Sequence, residues 1–123
     1  MSEGKFATSV SCIDGRIQFP LAAWIREKYS VDFVDVISEP GVDKKIVENT
    51  DLESIKQKIG ISISAHKSKL IVVSGHHDCA GNPVSKDVHI SQIKKGVELI
   101  SSWGLDAEVI GVWVDDSWNI SSV

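Results

Sequence analysis

The chain has 123 residues, 42% of them hydrophobic, with 17 acidic against 13 basic side chains and a net charge of -4. That length fits a single domain spanning residues 1–123, with apolar material for a sizeable core. The net acidity and the scattered bases argue against a nucleic-acid or anionic-membrane surface, and no stretch reaches the ~20 apolar residues that a membrane span needs.

Met1-Ser2-Glu3-Gly4-Lys5 carries no apolar segment followed by small residues, so no signal peptide is expected and the location is read as cytoplasmic. Lys5 to Cys12 reads as a strand that ends in the polar turn Ile13-Asp14-Gly15-Arg16. A helix is expected from near Gln18 to about Tyr29, with Pro20 in its first turn. Val31 to Ser38 is a second strand, rich in Val and Ile and stopped by Glu39-Pro40-Gly41. Thr50 and Glu53 form a capping-box pattern, and Leu52, Ile55 and Ile59 follow at helical spacing. Ile59, Ile61 and Ile63 also alternate as a strand would, which leaves the end of that helix open.

Lys69 to Ser74 is a continuous apolar run of the kind buried on both faces of a parallel sheet. A loop from Gly75 to Pro83 follows. Ile90, Ile93, Val97 and Ile100 then mark one stripe of a helix that Gly104 terminates. Glu108 to Val114 is the fourth strand, and Asp115 to Val123 reads as a short tail. Strands alternating with helices predict a three-layer α/β fold: a mostly parallel four-stranded sheet, order 2-1-3-4, with helices on both faces. In such sheets ligands bind beyond the carboxyl ends of the strands. Cys12 falls there at the end of the first strand, and Cys79 just past the third.

Two cysteines in an intracellular chain point to metal or redox chemistry more than to a structural disulfide. Zinc favours thiolate and imidazole donors in tetrahedral geometry, and three protein ligands with one open position mark a catalytic site. Cys12, His76 and Cys79 supply such a set, with His76-x-x-Cys79 presenting two ligands from one short loop. Two thiolates neutralise the dication, so activation of a bound water needs help from neighbouring groups. Asp14 lies two residues from Cys12, and Arg16 can hold its carboxylate in a bidentate pair. That pairing keeps Asp14 off the metal and aims one oxygen as a hydrogen-bond acceptor.

Cys-x-Asp-x-Arg at residues 12–16, followed by Gly-His-x-x-Cys at residues 75–79, resembles the signature of the β-class carbonic anhydrases. The resemblance runs from about Ser9 to the fourth strand. It implies Zn2+ on Cys12, His76 and Cys79 and a catalytic Asp14–Arg16 dyad. It also implies hydration of carbon dioxide to bicarbonate by a zinc-bound hydroxide, in a parallel α/β fold that is usually dimeric. The family's Arg-x-Ala-Gly-like segment after the second strand is replaced by Ser38-Glu39-Pro40-Gly41-Val42-Asp43. Its small residue after the ligand histidine is replaced by His77, and its Cys-Gly-Ala by Cys79-Ala80-Gly81. These changes alter the walls of the pocket rather than the metal ligands. Hydrolysis of carbonyl sulfide is therefore an alternative, and a non-catalytic zinc-binding or redox-sensing module is another.

The partners expected are a small-molecule substrate and further copies of the chain in a homodimer or higher homo-oligomer, with no nucleic acid and no membrane. Trp118 is expected to anchor subunits together. His77 is read as a residue that faces solvent or caps its loop, with proton shuttling beside the metal the alternative. His66 and His89 are read as surface residues of helices, and Gln18 as either a pocket residue or an ordinary polar residue of the first helix.

Overall fold

The computed structural model describes residues 4–123; Met1-Ser2-Glu3, part of the stretch read above for a signal peptide, lies outside them. The elements in chain order are β1 (Phe6–Ser11), α1 (Gly15–Tyr29), β2 (Phe33–Ser38), α2 (Val42–Val47), α3 (Leu52–His66), β3 (Leu70–His76), α4 (Lys86–Ser101), β4 (Glu108–Val114) and β5 (Ile120–Ser122). They build one sheet in the order β2-β1-β3-β4-β5. The first four strands are parallel and β5 is antiparallel to β4. Among the described residues no helix is long and apolar enough to cross a membrane.

Every residue of β3 is buried, and its side chains alternate between two cores. Ile71 and Val73 pack with Val10, Ile37 and residues of α2, α3 and α4, including Ile46, Ile55 and Ile100. Leu70 and Val72 pack with Ala7, Val112 and the Leu21 and Ile25 side chains of α1. Burial on both faces requires the unbroken apolar run, because no side of the strand meets water. Helix α1 thus covers one face and α2 to α4 the other, the three layers expected from the strand–helix alternation.

The differences from the sequence reading have local causes. The sheet has a fifth strand where a tail was expected. Asp115 Oδ1 accepts hydrogen bonds from the backbone N–H of Ser117 and Asn119, both at 2.9 Å. This side-chain-capped turn reverses the chain, so Ile120 to Ser122 pair with Val112 to Val114. Helix α2 was missed because six residues are too few to show a 3.6-residue period. Helix α1 begins at Gly15, three residues earlier than expected, because Asp14 is its N-cap and accepts from Arg16 N–H. Pro20 consequently lies in the helix interior rather than its first turn. The proposed Thr50–Glu53 capping box does not form: the N-cap of α3 is Asp51, without a side-chain cap bond. That helix continues through Ile59, Ile61 and Ile63 to His66, which settles the helix–strand ambiguity there.

His89 is the residue the sequence misplaced most. It is 1% exposed. The buried stripe of α4 is His89, Ile93, Gly96 and Ile100, rotated by about one residue from the isoleucine–valine stripe read from the sequence. Gly96 allows close approach of α4, so a residue without a side chain marks the inner face. Gly104 has the positive φ of a chain reversal, +71°, but the helix has already ended at Ser101.

This topology sets the position of the site. The chain leaves β1 towards β2 on one side and leaves β3 towards β4 on the other. The crevice between β1 and β3 is therefore a switch point where loops diverge and a ligand can enter. Cys12 follows the last residue of β1, and His76 is the last residue of β3.

Candidate metal centre

Cys12, His76 and Cys79 are all buried, and one donor atom from each lies within 4.8 Å of the others. The two sulfurs are 3.8 Å apart, and both cysteines are free. His76 Nδ1 donates to the His77 carbonyl at 2.8 Å. This bond fixes the ring and leaves Nε2 as the free nitrogen, and Nε2 is buried without a hydrogen-bond partner. A buried polar atom with no partner is costly unless something satisfies it. Two thiols and an imidazole nitrogen converging on one point, with the second ring nitrogen held by a carbonyl, fit the donor chemistry of zinc. A metal held by these three donors would keep a fourth position for water or substrate.

The electrostatics agree with that fit. The hydrogen bond from Cys79 holds the Cys12 thiol well below its ordinary range, with help from His76 and the backbone N–H of Gly41, against the opposing effect of burial. Gly41 N–H donates to the Cys12 sulfur at 3.4 Å. The same shared proton, together with burial, pushes the Cys79 thiol above its ordinary range. Burial disfavours a charged His76, but the neighbouring Cys12 thiolate, the His77 carbonyl and Asp14 outweigh it and raise its pKa. A metal held here would need both sulfurs as thiolates. A cation must displace the remaining protons, so its affinity rises with pH.

Asp14 and Arg16 are bound to each other from the first turn of α1. Arg16 Nη2 donates to Asp14 Oδ2 at 2.7 Å, and Arg16 Nε to Asp14 Oδ1 at 3.0 Å, the bidentate geometry expected. Sequence reasoning missed three supports of this pair. Arg16 also reaches Asp78, through Nη1 to Oδ2 at 3.2 Å and Nη2 to the carbonyl at 3.0 Å. Its guanidinium stands 4.9 Å from the ring centroid of Trp118, so the residue expected to anchor subunits packs on Arg16 within its own chain. Gln18 Nε2 donates to the carbonyls of Cys12 and Asp14, at 2.9 and 2.8 Å. Gln18 therefore straps the turn that carries the pair. Its position four residues past Asp14 was the available signal; the Trp118 contact had none.

Arg16 holds the Asp14 carboxyl down to about 2. Because the folded value lies below the ordinary one, the stabilisation from this pair is complete above pH ~4 and is lost as pH falls through about 2. A carboxyl-carbon NMR titration should place the Asp14 midpoint near that value. A midpoint near the ordinary 3.8 would show that Arg16 does not hold the carboxylate in solution.

Above the donors lies a cavity of about 350 Å³ lined by Cys12, Ile13, Asp14, Gly15, Pro40, Ala80 and Gly81. Ile13, in the turn after Cys12, and Phe19, in α1, are exposed apolar side chains, Phe19 to 83%. His77 faces solvent, as expected. His66 pairs with Asp35 at 2.6 Å on the α3 side of β2, so it takes no part in the centre.

A family model described as "Putative carbonic anhydrase" matches residues 2–123. Among solved structures, a carbonic anhydrase from Glaciozyma antarctica superposes with a TM-score of 0.62 at 13% identity, covering 94% of this chain and 80% of that one. One of two tetrameric β-carbonic anhydrases from the ascomycete Sordaria macrospora superposes with a TM-score of 0.56 at 16% identity, covering 99% of this chain and 82% of that one. At such identities the likeness is one of fold. No curated protein matches the chain.

Proposed function

The chain belongs to the carbonic anhydrase family that the model describes, with the fold of the β class, and from that premise we propose that it is a single-domain zinc enzyme hydrating carbon dioxide to bicarbonate. The observation that carries this reading is the convergence of Cys12, His76 and Cys79 at the switch point, with His76 Nε2 buried and unpartnered beside the Asp14–Arg16 pair. Zinc on those three donors supplies the Lewis acid that makes water a nucleophile at neutral pH.

The remaining work belongs to the chain. Asp14, ionised at every physiological pH, accepts a hydrogen bond from the attacking water and orients its lone pair towards the substrate carbon. Arg16 holds Asp14 in place and keeps it from closing the fourth position. The apolar part of the cavity wall, Ile13 and Pro40, suits a small linear substrate with no charge. The two thiolates need a reducing compartment to stay free, which suits the cytoplasm.

We assign the working form to a homo-oligomer, with a dimer as the smallest unit. Ile13 of the cavity wall and Phe19 of α1 are exposed apolar side chains, and one structural relative is described as tetrameric. A second reading, a zinc or redox module without catalysis, draws on the 3.8 Å between the two free sulfurs. The test of the enzyme reading is the rate of carbon dioxide hydration by zinc-loaded protein, with carbonyl sulfide as the competing substrate.

A further inference from the structure

Near the proposed ligands, three polar side chains are sealed inside the protein. Asp43 of α2, Asn82 of the loop after β3 and His89 of α4 are 2%, 1% and 1% exposed. They bind one another. His89 Nδ1 donates to Asp43 Oδ2, and Asn82 Nδ2 donates to Asp43 Oδ1 at 3.1 Å and to Gln92 Oε1 at 2.7 Å. Burying a carboxylate, an amide and an imidazole is unfavourable compared with apolar residues of the same volume, even when they are paired. Such a network imposes one geometry on whatever it joins.

It adjoins the segments that carry or touch all three proposed ligands. Asn82 lies three residues past Cys79, and its N–H closes a turn on the Cys79 carbonyl at 3.3 Å. Asp43 lies two residues past Gly41, whose N–H donates to the Cys12 sulfur. The Asp43 carboxylate also lies against Gly75, the residue before His76: a Cβ on Gly75 would come within 2.6 Å of Asp43 Oδ2 and 3.2 Å of His89 Nδ1. The two loops pack backbone on backbone, since a Cβ on Gly81 would stand 2.7 Å from Gly41 N. Any slack between α2 and the Cys79 loop would therefore move Cys79 relative to Cys12.

We propose that Asp43, Asn82 and His89 form a buried brace whose role is to position the Cys12, His76 and Cys79 donors for one tetrahedral metal geometry. They are positioning residues, acting through the two loops rather than on the substrate. The proposal rests on the zinc reading given above and adds to it the residues that set the site's shape.

The test uses zinc-loaded and cobalt-substituted protein, read by chelator competition for zinc affinity and by the absorption spectrum of the cobalt form, which reports thiolate ligation and coordination geometry. Asn82→Ala and His89→Ala should each weaken zinc binding by about 10- to 100-fold, the usual effect of losing an outer partner of a ligand, and should alter the cobalt spectrum. His89→Asn, which keeps a donor to Asp43, should recover much of both. Ile100→Ala, which opens the core at the far end of α4, should lower thermal stability while leaving affinity and spectrum as in wild type.

The brace is overturned if folded Asn82→Ala and His89→Ala bind zinc within about twofold of wild type with an unchanged cobalt spectrum. If neither variant folds, Gln92→Ala decides. That variant removes one half-buried acceptor of the Asn82 amide: a shift in the cobalt spectrum supports the brace, and none rejects it. Wild-type protein that takes up neither metal would reject the zinc reading itself, and the brace with it.

Discussion

Replacing Cys79 by serine is expected to empty the metal centre while leaving the fold in place. Cys79 lies in a loop outside the β-ladder, and serine keeps its size and a hydroxyl in the same place. The hydroxyl lacks the soft thiolate character that zinc prefers. The loss should exceed the ~10- to 100-fold that removal of an outer partner costs, because a direct donor has gone. Cys12→Ser should behave in the same way. Metal content after gel filtration, with circular dichroism to confirm folding, reads the outcome. Full zinc occupancy in both variants would show that the metal is held elsewhere.

The second large effect is expected at Arg16. In the native pair the guanidinium holds both oxygens of Asp14 and is itself held by Asp78 and Trp118. Arg16→Ala removes every restraint on the carboxylate except the cap bond to the backbone N–H of residue 16. Asp14 is then free to turn towards the cation and fill the open position. Hydration should collapse while zinc stays bound. Asp14→Asn keeps the metal and the cap but loses the anionic acceptor, and should slow the reaction by about 10- to 100-fold. The pairing of full metal content with lost rate is the signature; loss of zinc from Arg16→Ala would instead assign Arg16 a role in holding the ligands.

The candidate metal site is legible in the sequence because such a donor set needs uncommon residue types at fixed spacings. Cys12, Asp14 and Arg16 follow one apolar strand, His76 and Cys79 stand at and just past the end of another, and the two runs read as adjacent strands. Gly75 and the buried β3 are visible for the same reason. The brace near the site is not visible, since Asp43, Asn82 and His89 come from three segments whose packing only the fold defines. Helix α2 is too short for periodicity, and the inner face of α4 is marked partly by a histidine and a glycine, residues that hydropathy does not count as core. Strand β5 depends on a turn that Asp115 builds with its own side chain, a signal four residues long. Local chemistry thus reads directly, whereas polar burial between distant segments does not.

The central claim is that this chain hydrates carbon dioxide through zinc on Cys12, His76 and Cys79. The measurement that tests it most directly is stopped-flow carbon dioxide hydration by folded protein titrated from metal-free to one zinc per chain. Hydration should rise above the buffer background in proportion to zinc bound, saturate at one equivalent, and increase with pH, with carbon dioxide preferred to carbonyl sulfide. Hydration that stays at the buffer background at full zinc occupancy and at every pH would contradict the enzyme reading and leave a metal-binding protein without this activity.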